Sequence, residues 1–102
     1  MIAEISSHRK ELEELCRRFH VRRLDLFGSA ASDDFDAERS DLDFLVEFEP
    51  APPGGYADAF FGLKESLEAL FGRSVDLVEP GAIRNPYFKG SVERSREPIF
   101  EE

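Results

Sequence analysis

The 102-residue sequence holds a single cysteine, Cys16. One thiol excludes an internal disulfide and a cysteine-based metal centre, and it agrees with a reducing cytosol. No apolar run approaches the ~18 residues that cross a bilayer. The N-terminal stretch has mixed charge and lacks the apolar centre of a secretory signal, so the reading is a cytoplasmic protein without a membrane segment. Basic residues are scarce: 13 Lys and Arg stand against 22 Asp and Glu, a net charge of −9. Residues 33–49 concentrate that acidity, with eight acids against Arg39 alone. Such a surface repels a phosphate backbone, which argues against direct nucleic-acid binding and suits a basic protein partner. Repeats and low-complexity segments are absent, and the length reads as one domain, residues 1–102. Ten Phe and an apolar fraction of 41% are enough for a folded core.

What is present centres on Leu26-Phe27-Gly28-Ser29 and, after an eleven-residue spacer, Asp41-Leu42-Asp43-Phe44-Leu45-Val46-Glu47-Phe48. Asp41, Asp43 and Glu47 share one parity, and Leu42, Phe44, Val46 and Phe48 share the other, the period of a half-buried strand. Both aspartates therefore face the same way, roughly 6.6 Å apart along the chain at about 3.3 Å per residue. Like charges that close raise each other's pKa unless a cation neutralises them. Mg²⁺ fits such a pair, because it takes one or two carboxylates and completes its shell with water and phosphate oxygens. The Gly28-Ser29 turn adds hydrogen-bond donors: glycine admits a phosphate to the backbone, and the serine hydroxyl donates to it. Together they describe a nucleoside triphosphate site. Out of this context Gly-Ser is an ordinary turn and Asp-x-Asp a wetted strand face.

The remaining elements follow from periodicity. Residues 2–19 are predicted as one amphipathic helix, with Ile5, Leu12, Leu15, Cys16 and Phe19 on a shared face and Cys16 as a small core residue. A strand over 21–27 ends at Gly28. A second helix over 56–71 has Gly72 as its C-terminal cap, and a short strand spans 74–79. Asp76 interrupts that strand, and an acid there is costly to bury unless it is paired or metal-bound. Asn85-Pro86 reads as an N-cap followed by proline at the first helical position, opening a helix to about residue 95 with Tyr87, Phe88 and Val92 inward. Residues 98–102 read as a loose end. The expected class is α/β, a small mixed sheet with helices packed on one face.

Phe27-Gly28-Ser29, eleven residues, then Asp41-Leu42-Asp43 resembles the Gly-Ser…Asp-x-Asp pattern of the DNA-polymerase-β-like nucleotidyltransferase superfamily, in particular its minimal nucleotidyltransferase (MNT) branch. The likeness extends through 57–78 and 84–94. Many members carry arginine and glycine soon after Gly-Ser, where this chain has Ala30-Ala31-Ser32-Asp33-Asp34. The resemblance implies the nucleotidyltransferase fold, a third carboxylate at Asp76 and two Mg²⁺ ions. It implies further that ATP is the substrate, bound by Gly28 and Ser29, and that Asp41, Asp43 and Asp76 are the metal-binding and catalytic acids. Resemblance to MNT antitoxins implies AMP transfer to a tyrosine hydroxyl of a HEPN-domain ribonuclease toxin in a heteromeric complex. Two other readings belong to different classes: an antitoxin that neutralises its partner by docking alone, and a nucleotide-sugar glycosyltransferase using Asp-x-Asp. The last needs a larger acceptor domain than this length provides.

Overall fold

The computed structural model describes residues 3–28, 41–50 and 54–102. Helices α1 (Ala3–Ser7) and α2 (Arg9–Arg18) lead into strand β1 (Val21–Phe27). Strand β2 (Leu42–Phe48), helix α3 (Tyr56–Phe71) and strand β3 (Val75–Val78) follow. A short 3-10 turn, Pro80–Ala82, then precedes helix α4 (Pro86–Ser95) and strand β4 (Glu97–Glu101). The strands form one mixed sheet in the order β3-β2-β1-β4. β1 runs antiparallel to both β2 and β4, and β2 runs parallel to β3.

Alternation along the strands decides what each face carries. Leu24 and Leu26 of β1, Leu42, Phe44 and Val46 of β2, and Val75 and Leu77 of β3 point to the face covered by the first three helices. There they meet Ile5, Leu12, Cys16, Leu63 and Leu67 in the main core. Cys16 is fully buried, and desolvation pushes its thiol up to about 12. The opposite face carries a smaller cluster in which Val92 of α4 packs on Phe27 and Leu45, flanked by Val78 and Ile83. Three helices thus cover one face as expected, and α4 adds partial cover to the other.

Three local expectations need correction. The predicted helix over 2–19 is broken at His8, whose Nδ1–H donates to the Glu4 carbonyl at 2.9 Å while the Ser7 hydroxyl donates to the same oxygen at 3.1 Å. Side chains that bond the backbone locally compete with the helix ladder in this way. The loose end expected over 98–102 is instead largely strand: β4 pairs with β1, and Pro98 is tolerated because β4 is an edge among the described strands. In α4, Val92 points inward, but Tyr87 is 86% exposed and Phe88 44% exposed. The Asn85 cap is as the sequence indicates, its side-chain oxygen accepting from the Tyr87 and Phe88 amides.

Sequence reading did not single out Asp25, the one buried charged residue among those described. Its carboxylate accepts from Arg96 Nε at 2.6 Å and from Arg23 Nε at 3.3 Å. A fully buried carboxylate persists only when paired and hydrogen-bonded. This pair fastens the segment between α4 and β4 to the middle of β1. Asp25→Ala is expected to lower unfolding stability by about 3 kcal/mol, because it takes from the Arg96 guanidinium its buried partner and leaves it only the exposed Glu93. Arg23, the more exposed partner, should cost less than about 1 kcal/mol when changed to alanine. Urea unfolding midpoints test this, and equal losses from the two substitutions would refute the assignment of Arg96 as the principal partner.

Candidate active site

Strand register assembles the site. Asp43 lies opposite Phe27 on β1 and level with Asp76 on β3, so Phe27, Asp43 and Asp76 form a row across three strands at one end of the sheet, with Gly28 one residue beyond it. Adjacent strands lie about 4.8 Å apart, which brings the two carboxyl groups into contact on the same face. Asp43 is half-buried, Asp76 is exposed, and Asp41 is exposed just ahead of β2. Gly28 ends β1 with φ +73°, a conformation that favours glycine. A Cβ built on it would fall 2.5 Å from Asp43 Oδ2. The missing side chain at Gly28 is therefore the space that Asp43 fills. Its amide is also engaged, donating to Ser95 Oγ of α4 at 3.2 Å. Ser29, the other residue assigned to the nucleotide, lies outside the described residues.

The charge state of Asp43 follows from this crowding. Its pKa rises from an ordinary carboxylate value to about 6, first by desolvation, then by the Asp76 charge, a hydrogen bond with Asp76 and the Asp41 charge. The Asp43–Asp76 contact is thus favoured by a shared proton, or by a cation in its place. The donor set suits a hard divalent ion: carboxylate oxygens only, no sulfur or imidazole, with one open side. Among the described residues no group of three or more acids, histidines or cysteines is arranged to hold a metal. Asp43 and Asp76 would hold such an ion, with Asp41 within electrostatic reach and phosphate oxygens filling the shell.

Arg84, Lys89, Arg94 and Arg96 give the C-terminal segment a basic bias in the sequence, which reads as a surface helix or as a contact for the triphosphate or a partner, and the structure divides them. Arg84, Lys89 and Arg94 are exposed, whereas Arg96 is committed to Asp25 and to Glu93, which accepts from its Nη1 at 2.9 Å. Ser95 and Asp25 were missed at the sequence level, as was the pairing of Arg96 with Asp25. Asp25 carried a usable signal, an acid inside an apolar strand, the same argument that singles out Asp76.

A raised acid pKa in the fold means that stability is favoured at low pH and lost as pH rises from about 4 through about 6. Asp43→Asn removes that penalty. In metal-free buffer the variant should therefore melt above the parent at pH 7.5, with the gap closing near pH 4; a gap independent of pH would contradict the crowding. Gly28→Ala should lower the melting temperature at both pH values, through backbone strain and the collision with Asp43.

Comparison with known proteins identifies the family to which this fold belongs. Residues 8–99 match the nucleotidyltransferase domain family. A candidate protein adenylyltransferase of Methanocaldococcus jannaschii is 43% identical over 89 residues, covering 87% of this chain and 84% of that protein. The protein adenylyltransferase MntA of Thermococcus cleftensis is 41% identical over 81 residues, covering 79% and 75%. Among solved structures, a candidate minimal nucleotidyltransferase superposes with a TM-score of 0.72 at 34% identity, over 91% of this chain and 90% of that one. A chain from the complex of a tri-AMPylated Shewanella oneidensis HEPN toxin with an MNT antitoxin superposes with a TM-score of 0.65 over 96% of this chain and 73% of that one, a likeness of fold alone at 17% identity. By family match, by identity to its relatives and by fold, the chain belongs to the nucleotidyltransferase domain family, in its minimal branch.

Proposed function

We propose that this chain transfers AMP from Mg²⁺-ATP to a hydroxyl, in particular a tyrosine hydroxyl, of a HEPN-domain ribonuclease toxin, and so acts as its antitoxin. The observation that carries the chemistry is the level placement of Asp43 and Asp76 on adjacent parallel strands beside Gly28. Support for a protein acceptor comes from relatives named protein adenylyltransferases, and support for a HEPN partner comes from the fold shared with the antitoxin of an AMPylated HEPN complex.

In this reading Asp43 and Asp76 would hold Mg²⁺, with Asp41 adding its charge nearby and a second ion shared with Asp76, and the metal would supply charge neutralisation at the triphosphate and acidification of the attacking hydroxyl. Gly28 keeps the backbone low enough for Asp43 to lie against it. Ser29 contributes its hydroxyl to the phosphates, since the Gly28 amide is already engaged with Ser95. Asp76, the exposed acid on an edge strand, takes the proton of the acceptor hydroxyl. The freed oxygen bonds to the α-phosphorus, the bond from that phosphorus to the bridging oxygen breaks, and pyrophosphate leaves with the electron pair. The AMP placed on the toxin adds bulk and negative charge.

The test is transfer of label from α-labelled and γ-labelled ATP to a purified HEPN partner in Mg²⁺. Protein-bound label is expected from the α-position only, falling by roughly 100-fold or more in Asp43→Asn, as loss of several kcal/mol of transition-state stabilisation requires. A stable complex without label from either position would replace transfer by neutralisation through binding.

A further inference from the structure

The last turn of α4 grips β1 at two neighbouring points. The Ser95 hydroxyl gives its proton back along the helix, to the Ser91 carbonyl at 3.1 Å with the Val92 carbonyl at 3.4 Å. Its lone pairs are then left for the Gly28 amide at 3.2 Å. The next residue, Arg96, closes the buried pair with Asp25 three positions earlier on β1. The apolar contact of Val92 with Phe27 and the edge contact of Phe88 with Phe27, ring centroids 6.1 Å apart, hold the same helix to the same strand end. Gly28 therefore has its open Cα against Asp43 and its amide on α4.

We propose that Ser95 is a positioning residue for nucleotide binding: its hydroxyl, indexed on β1 by the Arg96–Asp25 pair, fixes Gly28 against Asp43 before the nucleotide arrives. The alternative for a helix-terminal serine is a purely local bond to its own helix, and that alternative gives no role to the Gly28 amide. Glycine is the residue with most backbone freedom to lose, so a position held by it gains most from a tether. Ser95 touches neither the substrate nor the reacting atoms; it acts through Gly28. An untethered Gly28 has to be ordered at the cost of binding affinity, which is the usual loss when preorganisation is removed. The effect belongs to KM for ATP, with kcat kept at saturating nucleotide.

This inference rests on the nucleotide reading above, and its test separates the two. Amide hydrogen exchange at Gly28 and affinity for the non-hydrolysable analogue AMP-PNP with Mg²⁺ are measured in the parent, Ser95→Ala and Ser95→Thr. The expected result is about tenfold faster Gly28 exchange and about five- to tenfold weaker nucleotide binding in Ser95→Ala, the scale of one hydrogen bond. Exchange at Leu24 and Val46 should stay unchanged, and Ser95→Thr, which keeps the hydroxyl, should restore both values. A Gly28 amide that exchanges equally fast in the parent and in Ser95→Ala overturns the tether, and unaltered affinity in a variant whose Gly28 has been released overturns the positioning role. A parent that fails to bind AMP-PNP overturns the nucleotide reading instead, and the Gly28 exchange rates then decide the tether by themselves.

Discussion

Everything at the acidic end of the sheet follows from two carboxylates fixed at one height on neighbouring strands. Asp43 and Asp76 repel, and burial of Asp43 sharpens the repulsion, yet neither strand is able to slide away. Leu42, Phe44 and Val46 on β2, with Val75 and Leu77 on β3, are locked into the main core on the opposite face. A slip of one residue would turn every one of those side chains to the wrong side, a loss on the order of 1.5–3 kcal/mol for each. The unfavourable contact is thus sustained by apolar packing on the far face, and it leaves the acids in need of positive charge.

The two faces hold their helices by different means. Helices α1, α2 and α3 lie over a continuous apolar layer. Helix α4 buries little more than Val92 and is held in addition by polar contacts, one from Ser95 to the end of β1 and one from Arg96 to its middle. The apolar layer sets where the carboxylates stand, while the polar contacts set where Gly28 beside them stands. A small domain with a modest core gains orientation in this way without needing a second large apolar cluster.

Much of the site was legible because it is written locally. The alternation from Asp41 to Phe48 gave β2 and its facing, whereas the burial cost that singled out Asp76 does not apply, because Asp76 is exposed on the outer strand β3 and is marked only by its level placement beside Asp43. Asn85-Pro86 and Gly72 marked helix ends by their backbone chemistry. What the sequence concealed depends on partners far along the chain. Asp25 meets Arg96 across 71 positions, and Gly28 meets Ser95 across 67. Strand β4 exists because β1 has a free edge for it, and a five-residue segment containing proline shows no such pattern alone. The break at His8 arises from a side chain capturing one carbonyl, which apolar periodicity does not register. Asp41, Asp43, Asp76 and Gly28 are all at the acidic end of the sheet, and Ser29 is the member of the set that lies outside the described residues.

Cys16 has a practical consequence. It is the chain's sole thiol, it is closed off on the inner face of α2 against the sheet, and its pKa near 12 leaves almost no thiolate at neutral pH. Alkylating reagents and maleimide dyes will therefore pass it by while the fold is intact. A cysteine introduced on an exposed position would be modified selectively in the otherwise natural sequence, so distances and motions within this protein are open to spectroscopic probes without first removing a native residue from its core.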